Sequence, residues 1–419
     1  MSAASRRDFL IGAGSVALTA VTGAGAGAQP GAGADQRFDL VIKGGDVLDP
    51  SQSLRGKRDV GIRFGKIAAV KTDIPAEHAT RLLDAAGTLV TPGFIDLHAH
   101  VCPYGSAASI PADGLVAYQG TTCVSAGDAG ASNFAAFRRH IAAQSSTRLY
   151  AFVHMANAGL APPFLVPELA SIDFAQVDAC ARTIAENADI VLGVKVRMSE
   201  DVIARHGAEP LRRAIMACER AGTGARIMCH VDGVETVELM TGILDLLRPG
   251  DVLTQAYSGA GRFTNIVQDG KLLPAALAAK ARGVVFDAGH GGDSFDYTVC
   301  EAAIQQGCPP DMISSDIHVV SGTSPGMPYL TWAMSKFLAL GFTLEQVIAM
   351  ATAAPARVIN RADKLGTLQV GAPGDVSVLE LVEGPVSFVD TRRNTRAGQA
   401  FLRPVQTIAA GVPFGRPYN

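Results

Sequence analysis

Eight short apolar runs punctuate the middle of this chain, roughly 25 to 40 residues apart, the length of one strand–helix unit. They are Gly93–Leu97, Thr121–Ala126, Leu149–His154, Ile190–Val196, Ala225–His230, Asp251–Ala256, Val284–Ala288 and Ile313–Asp316. Short apolar runs of this kind suit parallel strands covered by helices on their outer face. Helical patterns lie between them, such as Pro210–Arg220 and Pro274–Arg282. Thr343 with Gln346 predicts a capping box opening a helix over Leu344–Ala351. Eight such units closing on themselves give an α/β fold, the (β/α)8 TIM barrel. An open doubly wound sheet is the alternative arrangement.

The flanks read differently. Asp39–Val47 begins as a strand and is expected to turn at Gly44-Gly45, and Val60–Ile67 and Thr88–Val90 continue in β-rich style. Gly374–Leu379 and Gln406–Ala409 add short strands near the other end, so the two ends predict one small β-sandwich domain. The expected organisation is a signal segment over 1–28, a linker over 29–35, sandwich over 36–90, barrel over 91–367 and sandwich again over 368–419. In the signal segment, Arg6-Arg7 precede the apolar run from Ile11 to Ala20, and Ala26-Gly27-Ala28 forms a small-residue cleavage pattern. That order resembles a twin-arginine export signal, which carries folded proteins and implies a periplasmic or secreted destination. No other stretch is long and apolar enough to span a membrane.

With 48% hydrophobic and 18% charged residues, the 419-residue chain can fill a sizeable core. A formal net charge of -3 with no long basic stretch argues against nucleic acid and leaves a small molecule as the expected partner. A homo-oligomer is compatible with this composition but not demanded by it. The seven cysteines form no C-x-x-C pair, and their odd number argues against a full disulfide framework. They read as small buried hydrophobes. Cys102, two residues past His100, is placed to border a site.

Reactive side chains in such barrels project from the C-terminal ends of the strands. His98 and His100 end the first predicted strand, Lys195 the fourth, His230 the fifth, Gln255 the sixth and Asp316 the eighth; His290 follows the seventh. Residues i and i+2 of a strand point the same way, so both imidazoles of His98-Ala99-His100 can reach one ion. Asp96 either orients an imidazole or satisfies a turn. A lysine inside so apolar a run as Val191–Val196 is costly unless paired or neutral. Lys195 is therefore either an ion-paired amine or a lysine carbamylated by carbon dioxide into a metal-bridging carboxylate. His230 is a ligand or a satisfied core histidine. Asp316 can bind a metal and take a proton from water, or cap a helix.

Together, Pro92-Gly93-Phe94-Ile95-Asp96-Leu97-His98-Ala99-His100, the lysine, the strand-five histidine and the strand-eight aspartate resemble the amidohydrolase superfamily. Gly193-Val194-Lys195-Val196-Arg197-Met198, Phe286-Asp287-Ala288-Gly289-His290-Gly291 and Ser315-Asp316-Ile317-His318 resemble its amidohydrolase/deacetylase branch. The resemblance implies a barrel with a β-sandwich, usually zinc, and hydrolysis of an amide or ester. By position, His98, His100, Lys195 and Asp316 would hold one ion, and Lys195, His230 and a strand-six histidine a second. Gln255 stands where that histidine is expected, and an amide oxygen is a poorer zinc ligand than imidazole. The second ion is then missing, weakly bound or held by another group such as His290. Arg197, Tyr257, His290 and His318 are the candidates for binding substrate or steadying an oxyanion. The expected function is metal-dependent hydrolysis of a small N-acyl or O-acyl substrate. The rivals are a cyclic amidohydrolase of hydantoinase or dihydroorotase type and a non-catalytic ligand-binding barrel.

Overall fold

Seven parallel strands form at the expected runs: Phe94–Ala99, Thr121–Ala126, Arg148–His154, Val191–Arg197, Arg226–His230, Val252–Thr254 and Val285–Phe286. Each pairs with its neighbour in sequence, in one parallel ladder. The computed structural model describes residues 37–414 except 116–118, 162–166, 204, 260–263, 325 and 328. The expected signal segment and linker lie outside the described residues.

The eighth run departs from expectation, because Ile313–Asp316 is not a regular strand. Met312 bridges Asp287 on one side and Ile317 bridges Ala99 on the other, both parallel. The segment therefore still lies between the seventh and first strands and closes the barrel. The Asp316 amide donates to the His98 carbonyl at 2.7 Å, and the His100 amide to the Ile317 carbonyl at 2.9 Å. Regular pairing fails because Asp316 is left-handed, with φ 48°. In addition, the Ser314 and Ser315 hydroxyls donate to the buried Asp287 and Asp96 carboxylates.

Helices cover the ladder. Glu209–Ala221 buries Leu211, Ala214, Ala217 and Cys218, the spacing of one helical face, and ends on the left-handed Gly222. That face shares a core with Val194 and Val196 of the fourth strand. Lys195, between them in sequence, points to the opposite side. The helix over Leu344–Ala351 opens with the predicted capping box.

The chain ends build one continuous eight-stranded sheet. Leu89–Pro92, just before the barrel, pairs antiparallel with Val376–Leu379, just after it. Leu40, Ile42, Val60, Ile62, Val376, Val378 and Ile408 share its core. Two local expectations fail. Gly44-Gly45 is not a turn but a bulge inside the single strand Phe38–Asp49. Val60–Ile67 is not one run but parts of a hairpin, Leu54–Arg63 with Lys66–Lys71, turning at Phe64-Gly65.

Helix Leu330–Ala339 ties barrel to sheet, with Trp332 against Phe388 and Phe401. Its fully buried Lys336 donates to His290 Nε2 at 2.7 Å, to the Val389 carbonyl at 2.7 Å and to the Gly326 carbonyl.

In the fourth strand a Cβ on Gly193 would lie 1.8 Å from the Arg226 carbonyl oxygen of the fifth. Backbone cannot yield there as a flexible side chain does. Gly193→Ala should therefore cost about 3 kcal/mol, read as a lowered urea midpoint. An unchanged midpoint would show that the two strands can separate at no cost.

Candidate active site

The closing contact between Asp316 and His98 brings the C-terminal strand ends together around one carboxylate. Asp316 Oδ1 lies 3.0 Å from His98 Nε2 and 3.0 Å from His100 Nε2. Ligand atoms of His98, His230 and Asp316 all fall within 4.8 Å of one another. Lys195 Nζ meets His98 Nε2 from the fourth strand. The five residues expected to surround a metal thus converge, and all five are buried.

The tautomers follow from the hydrogen bonds behind the imidazoles. Thr254 donates its one hydroxyl proton to Asp287 at 2.7 Å. It must then accept from His98 Nδ1–H, 2.8 Å away. His100 Nδ1 lies 2.6 Å from Asp128 Oδ1 and donates there. Both Nε2 atoms are left facing Asp316, the arrangement by which partners behind an imidazole prepare it for a cation. Burial pushes His98 down to about 3. Burial also opposes charge on His100, but the Asp128 and Asp316 carboxylates outweigh it and raise the ring to about 9. Burial lowers His230, and takes Lys195 down to about 8. Burial likewise opposes charge on Asp316, yet His98 and His100 hold its carboxyl well below the usual range.

Around this cluster, Asp128 Oδ2, His154 Nε2, His230 Nδ1 and Gln255 Oε1 are buried without a hydrogen-bond partner among the described residues. Buried polar atoms without protein partners are what a site for an ion, water or substrate leaves behind. The donor set fits a divalent cation.

Arg197 stands at the end of the fourth strand, its Nη1 donating to Glu168 at 3.0 and 3.2 Å. His318 is half-buried, its ring edge-on to His100 at 5.7 Å. Two expected substrate residues are not placed for that role. Tyr257 is fully buried and donates to the Cys308 carbonyl at 3.1 Å. His290 has both nitrogens engaged, by the Gly291 carbonyl at 2.8 Å and Lys336 at 2.7 Å, and its ring stacks on Phe295. That also rules His290 out as the substitute ligand. Cys102 lines an apolar cavity with Tyr104, Phe137 and Ile141 on the flank of the first loop.

Asp128 and His154 escaped the sequence reading although the first follows a predicted strand and the second ends one. The strand-end rule that selected the others applies to them equally. Asp232, two residues past the fifth predicted strand, was missed in the same way, whereas Glu168 carried no such signal.

A model of the amidohydrolase family matches residues 295–411. The chain is 34% identical to a deacetylase of Agrobacterium fabrum over 377 residues, 89% of this chain and 86% of that one. Among solved structures it is similar to an adenine deaminase, with TM-score 0.81, 29% identity and coverage of 90% of this chain and 100% of that one. It is equally similar to a dihydroorotase, with TM-score 0.81, 31% identity and coverage of 90% and 98%.

Beneath the cluster, burial pushes Asp96 up from 3.8 to about 7, against the bonds from Ser315. A carboxyl raised in the folded state favours folding fully at low pH and loses that contribution as pH rises through about 7. Asp96→Asn removes this titration. The metal-free variant should lose less unfolding free energy than the wild type between about pH 4 and about pH 8 in urea melts. Parallel losses would show that Asp96 ionises without cost.

Proposed function

This chain belongs to the amidohydrolase superfamily, and from that premise we propose that it hydrolyses an amide or ester of a small N-acyl or O-acyl substrate. The observation that carries the reading is the convergence of two buried imidazole nitrogens on one carboxylate oxygen, 3.0 Å from each, with His230 within reach of the same point. Without an ion these atoms are bridged by protons, from His100 to Asp316 and from Lys195 to His98, and a bound cation would take the place of those protons. His98, His100, Asp316, Lys195 and His230 would hold it, and imidazole with carboxylate suits Zn2+. When bound, the ion supplies Lewis acidity toward water and the scissile carbonyl.

The residues divide the remaining work. Asp316 takes the proton of the attacking water and delivers it to the leaving nitrogen or oxygen. Lys195, fully buried with its amine lowered to about 8, has the neutral form that attacks carbon dioxide. The resulting N6-carboxylate would relieve the contact of an ammonium with His98. Arg197, braced on Glu168, offers the rest of its guanidinium to a substrate oxygen. His318 stands beside His100 to steady a developing oxyanion. The likeness to a dihydroorotase favours a second reading, ring opening of a cyclic amide by the same machinery.

We assign the chain to the periplasm or the exterior through the twin-arginine pattern at Arg6-Arg7. All seven cysteines are buried and free, which suits a protein folded before it is exported. No helix among the described residues is long and apolar enough to cross a membrane.

A panel of N-acyl amino acids, aryl esters and cyclic imides, assayed with added zinc, tests the reading. Turnover of the acyl compounds supports it; turnover confined to the cyclic ones selects the rival. Chelation should abolish activity and zinc restore it, while chelator-resistant turnover excludes a metal role. Asp316→Asn should lower kcat by about 1,000-fold with the fold retained by circular dichroism; undiminished kcat refutes Asp316 as the base.

A further inference from the structure

We propose that Gln255 is a positioning residue for Asp316, so that the sixth strand orients the ligands of one ion instead of binding a second. This deepens the hydrolase reading and rests on it. A histidine at this place would present a lone pair to a metal. Gln255 presents a donor: its Nε2–H bonds to Asp316 Oδ2. The two Asp316 oxygens are thereby given separate tasks. Oδ1 faces His98 and His100, 3.0 Å from each, while Oδ2 is held by the amide. A carboxylate oxygen has two lone pairs, so Oδ2 keeps one for a proton from water.

Three features make the contact specific. Gln255 and Asp316 both adopt left-handed backbone, with φ 57° and 48°. For side chains of this size that conformation persists only where the surrounding structure imposes it. Gly291 lies directly over the bond, where a Cβ would sit 3.1 Å from both Gln255 Nε2 and Asp316 Oδ2. The preceding residue, Thr254, works in the same sense by receiving His98 Nδ1–H at 2.8 Å. His230 meanwhile gains no partner from the sixth strand; its Nε2 lies 3.0 Å from Asp232, and its Nδ1 has no hydrogen-bond partner among the described residues. The centre is built for one tightly held ion.

Gln255→Met keeps the length of the side chain and removes the donor. Zinc titration of the metal-free protein against a chelator should count one ion per chain in both wild type and variant. The visible band of the cobalt-loaded protein should change as the Asp316 carboxylate loses its orientation. With a substrate in hand, kcat should fall about 10- to 100-fold while KM stays nearly unchanged. Gly291→Ala, which crowds the bond from outside, should shift kcat and the cobalt band in the same direction at constant metal count. It serves where Gln255→Met fails to fold. Two tight ions in the wild type and one in Gln255→Met would make Gln255 a ligand and overturn the proposal. So would an unchanged cobalt band or an undiminished kcat. If the wild type hydrolyses none of the panel, the hydrolase reading fails, whereas the metal count and cobalt band still decide the role of Gln255.

Discussion

The hydrogen bond from the Asp316 amide to the His98 carbonyl, 2.7 Å, closes the barrel and assembles the metal cluster in a single contact. It works with the bond from the His100 amide to the Ile317 carbonyl, and together they seat the eighth segment against the first strand with the carboxylate facing the imidazoles. The left-handed turn at Asp316 is what aims its side chain into the mouth while its backbone still pairs with the first strand. Architecture and site are therefore not separable here. The place where the ladder loses regular strand pairing is the place where the acid enters.

Beneath the cluster lies a buried polar layer drawn from the first, sixth, seventh and eighth positions. Asp96 meets Ser315, and Asp287 meets both Thr254 and Ser314. Burial pushes both carboxyls up, Asp96 to about 7 and Asp287 to about 6. Such groups are expensive to bury unless every partner is in place. Their return is rigidity: the His98 ring is held through Thr254 and cannot swing without breaking the chain of bonds behind it. Imidazoles oriented in advance need no reorganisation when an ion arrives.

The barrel was legible because its signal is repetitive. Seven apolar runs at regular spacing became seven strands, and the residues ending them became the cluster. What could not be read is what depends on contacts far apart in sequence. The eighth run has the apolar start of a strand, and nothing local announces that Ser314 and Ser315 turn to carboxylates contributed by the seventh and first strands. Tyr257 looked functional because it follows a strand, yet its hydroxyl is spent on the Cys308 carbonyl. His290 sits at the correct end of the barrel but is claimed by Lys336, a residue whose partners lie in three separate segments. Gln255 was visible as a departure. Its meaning was not, because the direction of a hydrogen bond is a property of the folded site.

Lys336 carries a consequence for the order of assembly. Its ammonium has three protons and three acceptors, one of them the Val389 carbonyl in the sheet made by the chain ends. Until that late strand is laid down, the helix Leu330–Ala339 would enclose an amine short of an acceptor. This flank of the barrel thus has a reason to stay open until the strand carrying Val389 is in place. A single buried amine thereby makes the packing of a barrel helix depend on a strand more than fifty residues further along the chain.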